Sequence, residues 1–110
     1  MSQLHIQVGE VLLDIEKEMR ELHLWQTQTP SPEALASREP FCIDTLTFPQ
    51  WLQFIFLPRM HNMIEQQLPL PTACGIAPIA EEYFRELRLN SRALITHLNR
   101  VDQVLTSGSP

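Results

Sequence analysis

The stretch TFPQWLQFIFLPRMHNMIEQQLPLP, residues 47–71, decides the fold because it has a helical pattern and is apolar on nearly every side. Local chemistry marks where the helix begins. Thr47 stands at an N-cap position, and Gln50, three residues later, completes a capping box. Leu46 and Trp51 occupy the two places of a hydrophobic staple. These signals predict a helix that begins after Thr47.

The first half of this helix is apolar on two opposite faces, with Leu52 and Phe56 on one and Trp51 and Ile55 on the other. Such a helix must be covered from both sides, so we expect it to lie in the middle of the domain. The second half gains a polar arc and is expected to emerge towards solvent. The polar residues are His61, Asn62, Glu65 and Gln66.

Pro58 interrupts this helix. It has no N–H for the carbonyl of Phe54, and its ring clashes with that carbonyl, at a cost of about 3 kcal/mol unless the helix bends. We therefore predict a kink or a short break at Pro58, after which the helix runs to about Gln67. The following LPLPTACG is read as an extended turn, because residues before proline avoid the helical region.

Helical patterns flank this segment on both sides. Residues 3–25 and the segment that follows Asn90 or Ser91 each carry an apolar stripe at spacings of three and four. A short helix is expected after the N-cap Ser31. Another is expected over residues 78–87, with three side chains facing inward: Ile79, Tyr83 and Phe84. The connector before the central helix is expected to supply three core residues: Phe41, Ile43 and Leu46.

These elements define an all-α fold, a single-domain bundle of four to five helices around a proline-kinked, largely buried central helix. Residues 1–105 are expected to form the domain and residues 106–110 a flexible tail. A chain of 110 residues has room for one domain of this kind.

Charge and cysteine usage exclude several classes of function. The formal net charge is −5 and the eight basic residues are scattered, which argues against direct binding to nucleic acid. Cys42 and Cys74 lack metal-site spacing, and we interpret them as free thiols. A disulfide bond between them is the alternative, but no feature of the sequence supports it. No apolar run approaches the roughly 20 residues that span a bilayer, and no signal peptide is recognisable. We expect a cytoplasmic protein without membrane contact or cofactor.

Two places on the central helix suggest chemistry. His61 and Glu65 lie one turn apart, a spacing that suits two metal ligands or an acid–base pair, but no third ligand is evident, and we interpret them as solvated. Arg59 either pairs with Asp44 across the kink or is available to a partner's carboxylate or a phosphate. The sequence has no glycine-rich phosphate loop, GxSxG or HExxH, so we expect no catalytic activity.

Aromatic residues and prolines crowd into residues 40–84, and most of them are expected in the core. Part of Phe54, Pro69, Leu70 and Pro71 is the candidate floor of a binding groove, where aromatic anchors serve binding. The candidate interaction site comprises Asp44, Trp51, Phe54, Pro58, Arg59, His61, Pro69, Leu70 and Pro71.

Several short motifs follow one another along most of the chain. They are Phe41, Asp44 with Thr45, Trp51-Leu52-Gln53, Pro58-Arg59-Met60, Pro69-Leu70-Pro71, Ala77 with Pro78, and Arg92 with Ala93. Their order and spacing resemble the YqcC-like family of small bacterial proteins. The resemblance implies an all-helical fold without a characterised activity. It also implies an association with tRNA pseudouridine synthase C that reflects gene neighbourhood rather than chemistry. A pseudouridine synthase needs a much larger mixed sheet that carries a catalytic Asp. This chain cannot form that sheet, so the resemblance assigns no catalytic role to Asp44.

Two hypotheses of function follow. The first is a non-enzymatic interaction module, an accessory to an RNA-modification enzyme, which would dock its groove and an acidic face on a basic partner. The acidic face is on the first helix and comprises Glu10, Asp14, Glu16, Glu18 and Glu21. The alternative is a bundle that binds a small anionic molecule or acts on it, with Arg59 in the pocket. Assembly with copies of itself is compatible with either.

Overall fold

Five helices make up the domain in the computed structural model, which describes residues 3–71 and 75–107. They are α1 (Gln3–Glu21), α2 (Pro32–Leu35), the central helix α3 over residues 48–65, α4 (Ile76–Phe84) and α5 (Arg92–Ser107). A 3₁₀ turn, Pro40–Cys42, precedes α3. No strand occurs in these two ranges, and the predicted all-α fold is confirmed. The radius of gyration is 13.7 Å, close to the roughly 13 Å typical of a chain of this length.

The two terminal helices form the main pair of the bundle. α1 packs most extensively against α5, α5 also packs against α4, and α1 touches the second half of α3. The predicted apolar stripes of both terminal helices are confirmed as core. Their fully covered residues are Val8, Val11, Leu12, Ile15 and Met19 on α1, and Leu94, Leu98, Val101 and Leu105 on α5.

The predicted beginning of α3 is confirmed in detail. The Gln50 backbone N–H donates to Thr47 Oγ1 at 3.3 Å, and the Thr47 N–H donates to Gln50 Oε1 at 2.8 Å. Leu46 and Trp51, the two staple residues, are both buried. The Ser31 cap of α2 is present as well, with Ser31 Oγ accepting from the Ala34 N–H at 3.2 Å. Interactions within four residues of one another therefore set both helix starts.

The interruption predicted at Pro58 is a π-helical turn, Leu52–Phe56, that lies just before the proline. The Leu57 N–H bonds to the carbonyl of Leu52, five residues back instead of four, and the backbone around the turn stays helical. Pro58 then falls in the first turn of a new α-helical segment, Leu57–Glu65, where a missing N–H leaves nothing unpaired. The helix changes its hydrogen-bond pattern rather than breaking.

Both faces of the first half of α3 are covered, as predicted. Leu52 and Phe56 are buried, and Trp51 on the opposite face is only 9% exposed. The second half emerges into solvent, with the side chains of His61, Asn62, Glu65 and Gln66 exposed. The central helix is therefore a buried strut at its beginning and a surface helix at its end.

α1 ends at Glu21 rather than near residue 25. His23 takes a left-handed backbone with φ 61°, and the Leu24 N–H bonds back to the Met19 carbonyl at 2.8 Å. This is the Schellman pattern, which glycine usually completes. Because the sequence has histidine at this position, the stop signal was not recognised.

α3 ends at Glu65 in the same way. Gln67 has φ 54°, and the Leu68 N–H bonds to the Met63 carbonyl at 2.8 Å. The short helix predicted over residues 78–87 is Ile76–Phe84. α5 extends to Ser107, and residues 108–110 of the predicted tail lie outside the described residues, as do residues 72–74 of the predicted extended turn, which include Cys74.

Replacing Gln67 by glycine is expected to raise the free energy of unfolding by roughly 0.5–1 kcal/mol, because glycine adopts the left-handed backbone without strain. Chemical denaturation monitored by circular dichroism measures the change. The control is Gln66→Gly, since Gln66 has an ordinary φ of −86° and glycine brings no such relief there. If the two variants lose stability equally, the left-handed turn is not strained by its side chain.

The N-terminus of α4 is capped from a distant part of the chain. Gly75 precedes the helix with φ 64°, a conformation that favours glycine, and it has no side chain with which to cap. Asp102 on α5 supplies the cap instead. Its Oδ1 accepts from the Ile76 N–H at 3.1 Å, and its Oδ2 from the Ala77 N–H at 2.9 Å. A carboxylate at this end also suits the helix dipole, so this contact fixes α4 on α5.

Candidate functional site

An apolar groove opens between the connector that leads into α3 and the exposed side of α4. Its first wall is formed by Pro40, Phe41, Ile43 and Phe48, and its second wall by Pro78, Ile79, Glu82 and Tyr83. Leu46 and Thr47 complete the lining. The groove has a volume of about 830 Å³. We call it the aromatic groove.

The first wall has an unusual backbone. Phe41 and Cys42 are consecutive non-glycine residues with left-handed angles, φ 56° and φ 50°. Such residues are strained and persist only where the surroundings hold them. Cys42 points inward as a buried free thiol, whereas the next residue, Ile43, is 76% exposed. The prediction that Ile43 is a core residue was therefore wrong, because the left-handed turn directs it to solvent.

Hydrogen bonds hold this connector against the preceding segment. Thr45 Oγ1 donates to the Ala34 carbonyl at 2.7 Å, and Ser37 Oγ donates to the carboxylate of Asp44. Gln53, in the π turn of α3, ties the segment around Gln26 to the helix that follows the connector. Its amide binds both backbone groups of Gln26, at 2.8 Å and 2.7 Å. The wall of the groove is therefore fastened to the body of the domain at several points.

A lattice of aromatic rings forms the base of the groove. The Phe48 ring lies 6.2 Å from Trp51, 6.0 Å from Tyr83 and 6.2 Å from Phe84, measured between ring centroids. Phe41 meets Trp51 edge to face at 4.7 Å. Phe84 is buried as predicted, but Tyr83 is 38% exposed, so the prediction that it faces inward was only partly right. Aromatic contacts of this kind stabilise the packing of the base of the groove.

The two segments that form the walls of the groove carry more acidic than basic residues, and we call their exposed acids the acidic rim. These two segments, residues 39–48 and 75–86, contain one basic residue, Arg85, which pairs with Glu82 at 3.0 Å. The same segments contain five acidic residues: Glu39, Asp44, Glu81, Glu82 and Glu86. The net charge of these two segments is −4, but Arg38 and Arg88 lie just outside them, and of the five acids only Glu82 lines the groove itself. On α1, Glu16 pairs with Arg20 and Asp14 pairs with Arg100.

The structure brings together only part of the candidate site that the sequence indicated. Trp51 and Arg59 line a smaller pocket of about 280 Å³, which shares Phe41 with the aromatic groove. Asp44 and Pro58 are exposed, and Phe54 is half-buried. Asp44 bonds to Ser37, and no ion pair between Asp44 and Arg59 forms in the described residues, so the predicted tie is absent.

The remaining candidates lie apart from the groove lining. His61 is exposed, and within residues 3–71 and 75–107 no group of three or more metal-ligating side chains gathers around it or elsewhere. Pro69, Leu70 and Pro71 line neither the aromatic groove nor the Arg59 pocket. Their neighbour Leu68 instead meets His5 of α1, with its carbonyl oxygen 2.8 Å from His5 Nε2. Sequence reasoning thus recognised the aromatic content of the site but missed that Ile43, Ile79 and Tyr83 line it, of which Ile43 and Tyr83 are exposed and Ile79 is half-buried.

The fold and this surface define a small all-α domain with a preformed apolar groove under an acidic rim. A family model described as tRNA pseudouridine synthase C matches residues 7–104. The chain belongs to this family, the YqcC-like proteins, as the motif resemblance predicted. None of the helices in the described residues is long and apolar enough to cross a membrane.

Relatives support this assignment over nearly the full length. The chain is 37% identical over 98 residues to an uncharacterised protein of Haemophilus influenzae, covering 89% of this chain and 92% of that protein. It is 31% identical over 98 residues to the uncharacterised protein YqcC of Escherichia coli, covering 89% and 90%. The solution NMR structure of Escherichia coli YqcC superposes with a TM-score of 0.84 at 30% identity, covering 99% of this chain and 93% of that one.

A third relative is of a different size. A Pectobacterium carotovorum protein named tRNA pseudouridine synthase C contains a segment that is 48% identical to this chain over 65 residues. The match covers 59% of this chain but only 17% of that protein. Most of the Pectobacterium protein therefore lies outside the shared segment.

Proposed function

We propose that this chain is a non-enzymatic accessory module that binds tRNA pseudouridine synthase C. The observation that carries the proposal is the Pectobacterium protein of that name, which includes a segment 48% identical to this chain as 17% of its length. Two modules in one polypeptide meet at a high effective concentration, so they stay bound to each other even when their affinity is modest. A separate chain would need its own docking surface, and the aromatic groove is a suitable one.

The charge of this chain supports the proposal. An enzyme that acts on tRNA must attract phosphates with Lys and Arg, and an acidic protein is electrostatically complementary to such a surface. The chain itself, at a net charge of −5, is poorly suited to hold tRNA. The proposal includes a cytoplasmic location, as expected for a partner of a tRNA-modifying enzyme.

The test is to purify this chain and the tRNA pseudouridine synthase C of the same organism separately, mix them, and measure binding by calorimetry and size-exclusion chromatography. We expect one complex with a dissociation constant in the micromolar range or below. The chain alone should form no pseudouridine in tRNA. The accessory role is wrong if the proteins do not associate at micromolar concentrations, and the non-enzymatic assignment is wrong if the isolated chain modifies tRNA.

A second function has one observation in its favour. Arg59 lines the 280 Å³ pocket beside Trp51 and makes no ion pair in the described residues, which leaves its guanidinium available to a small anion. Mass spectrometry of small molecules that co-purify from the native cell, compared with Arg59→Ala, distinguishes this case. A metabolite that is lost in Arg59→Ala, with no protein partner, would favour the ligand-binding bundle.

A further inference from the structure

We infer that the aromatic groove is the docking site, and that its occupant is a segment of the synthase with large apolar side chains flanked by lysine or arginine. This inference rests on the proposed function and adds the surface and the chemistry of the contact. Three features of the groove carry it: the exposed apolar lining, the rigid walls and the acidic rim.

The lining indicates that something covers the groove. Ile43 is 76% exposed at one lip, and Tyr83 is 38% exposed on the opposite wall. Single exposed apolar residues are ordinary on protein surfaces, but here they converge on one cavity of about 830 Å³. Burial of such side chains by a partner is favourable by roughly 25 cal/mol per Å² of apolar surface removed from water.

The walls are preorganised for binding. Pro40 and Pro78 have fixed φ angles, and the left-handed pair Phe41 and Cys42 is held by packing against Trp51 and the core. Few rotamers have to be ordered when a ligand enters, so less binding energy is lost than on a flexible surface. Backbone strain at a lip of this kind is typical of sites that present a side chain to a ligand.

The charge of the rim selects the occupant. The acidic rim holds five acids against the neighbouring Arg38, Arg85 and Arg88, in a chain of net charge −5, so it repels nucleic acid, anionic lipid and a second copy of the same groove. A segment with basic residues beside its apolar ones is attracted.

The test uses the full chain, the full synthase and two matched aspartate variants. Ile43→Asp places a charge in the groove at a residue that is 76% exposed, so folding should be unaffected. Leu13→Asp does the same on α1, at a residue that is 63% exposed and lines no part of the groove. We expect Ile43→Asp to weaken binding at least about tenfold, and Leu13→Asp to change it less than about twofold.

Two further measurements test the charge of the acidic rim and the identity of the segment that occupies the groove. Glu82→Arg should slow association more than Glu10→Arg, because the first reverses a charge at the groove and the second reverses one on α1. A photoreactive residue at position 43 should cross-link to the synthase at a segment that contains apolar residues next to Lys or Arg.

The outcomes separate the two proposals. If the wild-type chain binds and Ile43→Asp binds equally well, the groove is not the contact, and the accessory role stands. A cross-link to an acidic segment would also overturn the inference, as would equal loss of binding in Ile43→Asp and Leu13→Asp. If the wild-type chain does not bind the synthase at all, the accessory role and the inference are both wrong.

Discussion

Replacing Gln53 by alanine is expected to lower the free energy of unfolding by roughly 2–4 kcal/mol, the largest effect we predict for a single polar side chain. Gln53 is only 7% exposed and lies in the π turn of α3. Its Oε1 accepts from the Gln26 N–H at 2.8 Å, and its Nε2 donates to the Gln26 carbonyl at 2.7 Å. Alanine leaves both backbone groups of Gln26 without these partners and removes buried methylene groups.

Thermal and chemical denaturation of the variant measure this loss. For a domain of about 100 residues, each kcal/mol corresponds to roughly 4–8 °C in Tm. Gln53→Glu is the sharper companion variant, because it keeps the shape but replaces the donor by a carboxylate facing a carbonyl oxygen. Gln103→Ala is the matched control, an exposed glutamine on α5 whose loss should matter by less than about 0.5 kcal/mol. Equal stability of Gln53→Ala and Gln103→Ala would show that the Gln26 loop is not held by this amide.

Removing the carboxylate of Asp102 is expected to destabilise the protein by roughly 2–3 kcal/mol, because two charge-assisted hydrogen bonds and a helix-dipole contact are lost together. Asp102→Ala leaves the Ile76 and Ala77 N–H groups uncapped, and Gly75 offers no side chain to replace it. The contact also joins α4 to α5, so its loss should loosen the wall of the aromatic groove that α4 provides.

Hydrogen exchange gives this prediction a local readout. The amides of Ile76 and Ala77 should exchange faster in Asp102→Ala, while amides in the middle of α1 change only through global stability. In Asp102→Asn, the exchange rates of these amides should lie between those of the wild type and Asp102→Ala. The reason is that the single carboxamide oxygen can accept fully from only one of the two N–H groups. The control is Glu81→Ala, which removes an exposed carboxylate from α4 itself. Unchanged protection at Ile76 and Ala77 would mean that the cap contributes nothing in solution.

Most of what could be predicted correctly depends on neighbours in the sequence. The capping box at Thr47, the Ser31 cap and the apolar stripes of α1 and α5 all involve residues within a few positions of each other. Such interactions are present as soon as the helix forms, so their pattern is readable without the fold. A kink or break was predicted at Pro58, whereas the structure has a π turn just before it, at Leu52–Phe56. Pro58 requires some departure from the regular α-helix, and the π turn provides it while the backbone stays helical.

The errors share a cause as well. His23 and Gln67 end their helices in the left-handed conformation, which usually has glycine. Because neither residue signals a helix end, α1 was predicted too long. Ile43 was assigned to the core on hydrophobicity, yet the left-handed pair Phe41 and Cys42 turns it outward while Cys42 and Leu46 take the inner places. Backbone strain of this kind is stabilised by the whole domain rather than by the residue that carries it.

The sequence by itself determined the all-α class, the positions of the helices, the buried start of α3 and the family. Each of these follows from periodicity, caps or motif order, which act over short distances along the chain. Only the tertiary structure decided where the groove lies, which acids form its rim, and that Asp102 and Gln53 hold distant segments. Those features join residues 25 or more positions apart, as in the bonds of Ala77 with Asp102 and of Gln26 with Gln53. Such pairs meet only once the helices have packed.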